Sequence, residues 1–280
     1  MDSPVSASAV TRREPCPGPA EAGWSAAALS GVRDAGASLA RRLFAPVDIA
    51  SLVWFRVAFG LLLLVEVLRH ADTIAPTYIR PAFHFTYYGF DWIRPWPGDG
   101  MYLHFAVLGL AAACLAVGFC YRLAAAVCFL GLGYWFLLEQ ARYQSYFYLL
   151  TLLGFLMIFV PAHRAFSIDA WRDRELAART VPAWALWLLR AQIAVPFVFA
   201  GLARLNGDWL RGEPVRMWLA ARADWPLVGS LFTREWAVYL FSYGELLFDL
   251  LVVPALLWQR TRPYAFAAAL LLALVHSAVF

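Results

Sequence analysis

An all-α, polytopic integral membrane bundle of about seven transmembrane helices is the fold class this sequence predicts, on three observations. Of 280 residues, 62% are hydrophobic and only 15% charged, where a soluble domain carries about 25% charged residues. The mean hydropathy is +0.62, and apolar runs long enough to cross ~30 Å of hydrocarbon, about 20 residues each, recur along the chain. The 13 Trp, 12 Tyr and 21 Phe suit aromatic belts at two membrane interfaces.

Residues 1–43 form the first region. The stretch 1–23, "MDSPVSASAVTRREPCPGPAEAG", is rich in Pro, Ser, Ala and Gly without apolar periodicity and reads as a disordered tail. Residues 24–44, "WSAAALSGVRDAGASLARRLF", read as an amphipathic interfacial helix ending in Arg41 and Arg42.

Residues 44–280 form the transmembrane domain. Its apolar segments are 50–68, 101–119, 121–138, 143–161, 183–203, 236–258 and 263–280. Only "CYR" separates the second and third, which makes them a tight helical hairpin. The last segment ends at Phe280 inside an apolar run with no flanking charge, so the domain reads as truncated at that end.

The longer connections are 69–100, 162–182 and 204–235. Residues 76–101, "PTYIRPAFHFTYYGFDWIRPWPGDGM", read either as an aromatic belt or as a lid over the bundle. Residues 208–226, "DWLRGEPVRMWLAARADWP", read as a short interfacial amphipathic helix. Arginines in the short loops favour a cytoplasmic N-terminus, which puts 69–100 and 204–235 outside. The expected location is a bacterial inner (cell) membrane.

All 23 basic residues are Arg. The chain therefore has no side-chain amine to serve as a base or a Schiff-base nucleophile. A net charge of +4, spread between apolar runs, signals topology and a lipid-bilayer partner, with no nucleic acid expected. Cys16, Cys114, Cys120 and Cys128 make no CxxC pair, and no His–Glu cluster has metal-ligand spacing, so no metal is expected.

Ionisable groups inside spanning helices are costly and mark sites by default. They are Arg56 and Glu66 in the first segment, Arg190 in the fifth, Glu245 and Asp249 in the sixth, and His276 in the seventh. Glu245 and Asp249, four apart, share one helix face. Counting depth from the helix ends pairs Arg56 or Arg190 with Asp249 and leaves Glu245 and His276 to line a central polar pocket. Helix-orienting ion pairs are the alternative for Arg56, Arg190 and Asp249. Pro196 frees the carbonyl of Gln192, which leaves either room for a lipid tail or isoprenoid, or close helix packing. The sequence holds no P-loop, GxGxxG, HExxH or GxSxG.

Several strings then stand together in order: "FAPVDIASLVWFRVAFGLLLLVEVLR", "FHFTYYGFDWIRPWPGDGMYLHF", "GFCYRLAAAVCFL", "YQSYFYLLTLLGFLMIFVPAHRAFSID", "LLRAQIAVPFVFAGLARLNGDWLRGEP" and "LVHSAVF". Over about residues 44–280 the chain resembles the horizontally transferred transmembrane (HTTM) domain family, the membrane domain shared with vitamin K-dependent gamma-glutamyl carboxylase. The most specific parts are "RAQI…FAGLARLNGDW" and the "CYR" hairpin.

The resemblance implies a helical bundle with a cytoplasmic N-terminus. In the carboxylases a Lys in the matching "AG…L..DW" helix deprotonates reduced vitamin K, and reaction with oxygen yields the base that strips a glutamate of the substrate. The matching positions here are Ala203 and Arg204, and Gln144 stands where the carboxylases show His. A guanidinium group stays protonated in proteins and is a poor general base. The carboxylases also carry a large outer domain beyond the bundle, and this chain stops before one.

The positions taken from these arguments are Arg204, Gln144 and His276 for catalysis and Glu245, Asp249, Arg190 and Arg56 for ligand binding. The leading expectation is a membrane protein that binds a lipophilic quinone-like ligand, reduced vitamin K or another isoprenoid quinone by resemblance, without glutamyl carboxylase activity. The alternatives are a non-catalytic membrane factor for maturation or export of a secreted peptide, an active carboxylase-like enzyme acting on such a peptide, and a purely structural or transport bundle.

Overall fold

The computed structural model describes residues 31, 33–34, 36–226 and 229–279. The reading of 1–23 as a disordered tail lies outside them. The chain divides into two compact units, residues 1–45 and 46–280. In the first, the described positions between 31 and 43 are helical and mostly exposed. Phe44 N–H closes that helix on Ala40 O at 2.9 Å.

The second unit is a helical bundle. It opens with β1 (Pro46–Asp48) and α1 (Ala50–Arg69), then α2 (Gly100–Val117), α3 (Tyr121–Leu138), α4 (Ser145–Phe159) and the short α5 (Ile168–Arg172). β2 (Thr180–Pro182) leads into α6 (Ala183–Ala203). Three short helices follow, α7 (Gly207–Leu210), α8 (Glu213–Ala220) and α9 (Gly229–Phe232), before α10 (Glu235–Leu257) and α11 (Arg262–Val279).

Helices stand at all seven apolar segments. Five of them, α1, α2, α3, α6 and α10, are long and apolar enough to cross a membrane, whereas α4 is a shorter apolar helix of 15 residues. Their outward leucines, such as Leu62, Leu110, Leu130 and Leu247, are about half exposed or more. In a bilayer such side chains meet lipid tails rather than water.

Helices α1 to α4 pack in sequence order, and α6 packs against α10. The main core lies among α1–α4 and the start of α6, from Leu52 and Leu63 through Leu115 and Leu132 to Met157 and Leu189. Close approach of α1 to α2 depends on Gly60, where a Cβ would lie 2.6 Å from Ala116 N. The hydropathy pattern does not foretell the antiparallel β1–β2 pair, in register Val47↔Val181. It ties the starts of α1 and α6 together.

The "CYR" hairpin is built by caps. Gly118 adopts φ +69°, and Phe119 N–H returns to Cys114 O at 2.9 Å, so α2 ends in a Schellman turn. The Asp169 carboxylate, from α5, accepts both Cys120 N–H and Tyr121 N–H at 2.9 Å. An anion at a helix N-terminus satisfies orphan donors and the dipole together. Tyr121 then donates its hydroxyl to Met157 O at 2.6 Å and Val160 O at 2.9 Å.

Candidate functional site

The "FAGLARLNGDW" stretch is the end of α6 and the start of α7. Asn206 accepts Trp209 N–H at 2.9 Å and so starts α7. Trp209 Nε1–H donates to Ser242 O at 2.9 Å, and Ser242 Oγ–H returns to Trp209 O at 2.6 Å. These two bonds lock α7 onto α10. Gly201 lets α6 and α10 approach: a Cβ there would lie 2.6 Å from Leu250 Cδ2 and 3.4 Å from Asp249 Cβ.

Arg204 sits at this junction. Its Nη2 donates to Glu245 Oε2 at 2.9 Å, and its Nη1 pairs with Asp249 Oδ2. Its guanidinium carbon stands 4.6 Å from the Trp209 ring centroid. Glu245 and Asp249 are buried, while Arg204 is half-buried. His276 Nδ1 comes within 3.9 Å of Glu245 Oε1 from α11. Three of the positions read from sequence, Arg204, Glu245 and Asp249, thus form one ion-pair cluster with His276 beside it.

The pairing of Asp249 with Arg56 or Arg190 is corrected: its cation is Arg204. Arg56 is fully buried in a cage of backbone carbonyls. It donates Nε–H to Ala116 O (3.3 Å), Nη1–H to Ala162 O (2.8 Å) and Ala165 O (3.2 Å), and Nη2–H to Phe166 O (2.5 Å). Four of its five N–H groups are thereby committed to the chain, and the carbonyl end of α2 supplies part of the negative field. Arg190 lies over Trp187, 5.4 Å from the ring centroid, and lines a cavity of about 610 Å³ among α6, α10 and α11.

Gln144 stands elsewhere. It precedes α4 and lines a cavity of about 280 Å³ with His70, Tyr78, Trp135, Phe136, Arg142 and Tyr146. The Arg204 cluster lines neither this cavity nor the one at Arg190. Trp135 Nε1–H donates to Tyr78 OH at 2.6 Å, and the His70 ring meets Trp135 edge-on at 4.9 Å. Burial pushes the Tyr78 phenol above its ordinary pKa, with the Trp135 N–H opposing. Behind the wall, buried Glu66 accepts Tyr146 O–H at 2.8 Å and lies 3.6 Å from His70 Nδ1. Glu139 holds the 76–101 connection: it accepts Phe85 N–H at 3.2 Å and contacts His84 Nδ1 at 3.2 Å.

Reading the sequence by spanning segments missed His70, Tyr78, Trp135 and Tyr146. A signal was available: "RH" closes the first segment and "YQSYFY" opens the fourth, so both carry polar aromatics to one end of the bundle. Among the described residues, no group of three or more His, Cys, Asp or Glu is placed to hold a metal ion.

Apolar helices of spanning length around an ion-paired interior define an integral membrane protein. The HTTM domain family model matches residues 44–280, and the chain belongs to that family. No solved structure matches the chain.

Proposed function

We propose that this HTTM protein binds a quinone-type lipophilic ligand in the cavity at Gln144 and does not carboxylate glutamate. One observation carries the binding reading: the walls of that cavity are largely aromatic, and Gln144 and Arg142 bring hydrogen-bond donors to them. Polar and apolar groups share the lining about equally, with the Glu139 carboxylate among them, so the ring faces supply the apolar contact. The volume suits a ring rather than a whole isoprenoid quinone, so the tail would run into the bilayer. Gln144 and Arg142 would hold the ring oxygens, and the ring faces of Trp135 and Phe147 would stack on the ligand. A bound quinone supplies reversible two-electron redox chemistry.

The absence of carboxylase activity rests on Arg204. At the position where the resemblance places an amine base, a guanidinium is tied to Glu245 and Asp249. A guanidinium is a poor general base toward a quinol. No Lys elsewhere in the chain can replace it. The reading includes a cytoplasmic N-terminus, a bacterial inner membrane, and α4 and α11 as spans alongside the five longer helices.

A second reading, a non-catalytic factor for a secreted peptide, draws on the 76–101 connection. It borders an open cavity of about 570 Å³ in which His84, Thr86, Asp91 and Arg94 stand among apolar residues such as Ile79, Phe83 and Trp96. Organic extraction of the purified protein, followed by mass spectrometry, tests the first reading. It expects isoprenoid quinone in the extract and about a fivefold loss in Gln144→Leu, the worth of one hydrogen bond. Quinone-free protein that captures a secreted peptide favours the second. Incorporation of labelled CO₂ into a Glu peptide with reduced vitamin K overturns the claim about Arg204.

A further inference from the structure

We propose that the cavity at Arg190 is a binding site for an anionic phospholipid, separate from the quinone reading at Gln144. The cavity opens among α6, α10 and α11 and measures about 610 Å³. Most of its wall is apolar, including Ile193, Phe197, Leu256 and Phe266. Its polar members are Arg190, Gln259 and Arg262. It lies away from the Arg204 cluster: Arg190 and Arg204 are separated by about 21 Å along α6.

Charge identifies the occupant. No carboxylate of the described residues lies within ion-pair distance of Arg190 or Arg262. Arg190 rests on the Trp187 face, and Arg262 donates Nε–H to Leu256 O at 3.0 Å. Each guanidinium therefore keeps donors for an oxyanion, and guanidinium forks suit phosphate oxygens. An apolar cleft with two unmatched cations at its rim fits a phosphodiester headgroup above acyl chains. A neutral isoprenoid would leave both charges unanswered.

The surrounding helices leave room for this. Only 17% of the spanning window of α6 and 28% of that of α10 is buried, against 44% for α1. The cleft is thus reached from the lipid side. The Arg262 end lies beside the Trp258–Thr261 turn between α10 and α11. With the N-terminus inside, that turn faces the cytoplasmic leaflet, where anionic lipid attracts basic side chains.

Native mass spectrometry of the detergent-solubilised full chain tests the site, with phosphatidylglycerol and phosphatidylcholine of the same acyl chains as probes. The wild type is expected to retain phosphatidylglycerol preferentially. Arg190→Gln with Arg262→Gln is expected to lower that retention on the order of thirtyfold, the worth of two basic side chains at an anionic surface. Arg190→Lys with Arg262→Lys keeps the charges and is expected to retain most of it. If the Gln pair does not fold, Ala194→Trp serves instead: it fills the cleft, keeps both arginines, and is expected to lose the lipid. Equal retention of both lipids by the wild type, or undiminished phosphatidylglycerol in the folded Gln pair or in Ala194→Trp, overturns the proposal. Quinone content is read in the same samples and is expected not to change, so failure of this site is distinct from failure at Gln144.

Discussion

Arg204, at the end of α6, donates to Glu245 of α10 across 2.9 Å, with Asp249 one turn further on holding the same guanidinium. One cation therefore answers two carboxylates that stand on one helix face. Arg204 thereby ties two helices together by charge.

Removal of that cation strands two buried anions. Arg204→Ala is expected to destabilise the protein by about 3 kcal/mol, because a buried pair broken on one side leaves an uncompensated charge. Asp249→Asn in the Arg204→Ala background is expected to recover part of the loss. A double-mutant cycle on melting temperature in detergent checks this, and additive losses contradict the pairing.

The carbonyl cage of Arg56 makes a second prediction. Lysine has three donors for four acceptors, and an unsatisfied buried carbonyl costs roughly 1–3 kcal/mol. Arg56→Lys is therefore expected to destabilise despite its unchanged charge. Gly118→Ala is expected to do the same, since a Cβ would lie 2.5 Å from Ser167 Cβ and 2.9 Å from Arg56 Nη1 at a φ of +69°. Thermal melting of the two variants, separately and combined, is the check. Their effects are expected to be non-additive because they disturb one cage.

Acid sensitivity is predicted at His163, in the connection after α4. Burial, and then the positive field of Arg122, Arg164 and Arg56, holds its pKa below the ordinary histidine value, with Asp169 opposing. The ring stacks on Tyr121 at 5.0 Å. The unfolded chain binds the proton more readily, so this contribution to stability is present above about pH 6.5 and falls away as the pH drops below it. Melting temperatures measured between pH 7.5 and 5 are expected to fall in the wild type and to fall less in His163→Phe. Parallel curves contradict the assignment.

Much of the helix placement was legible because hydropathy marks it directly. The segment read as 121–138 is α3, and that read as 183–203 is α6. The partners of the buried charges were not legible. Counting depth from helix ends assumes that all helices start in one plane, whereas α10 follows three short helices and meets the far end of α6. The caging of Arg56 leaves no sequence trace, since its acceptors are backbone carbonyls that every residue carries. The Gln144 cavity is assembled from the ends of α1, α3 and α4, where hydropathy fades and side-chain geometry decides.

The proposed quinone-type ring at Gln144 is separate from Arg204, which ties α6 to α10. The most direct measurement is the quinone content of protein purified in mild detergent from its native membrane, with Gln144→Leu and Arg204→Lys in parallel. The account predicts quinone in the wild type, close to one per chain, a loss of about fivefold in Gln144→Leu, and retention in Arg204→Lys. Wild-type protein without quinone, or loss in Arg204→Lys with retention in Gln144→Leu, contradicts it.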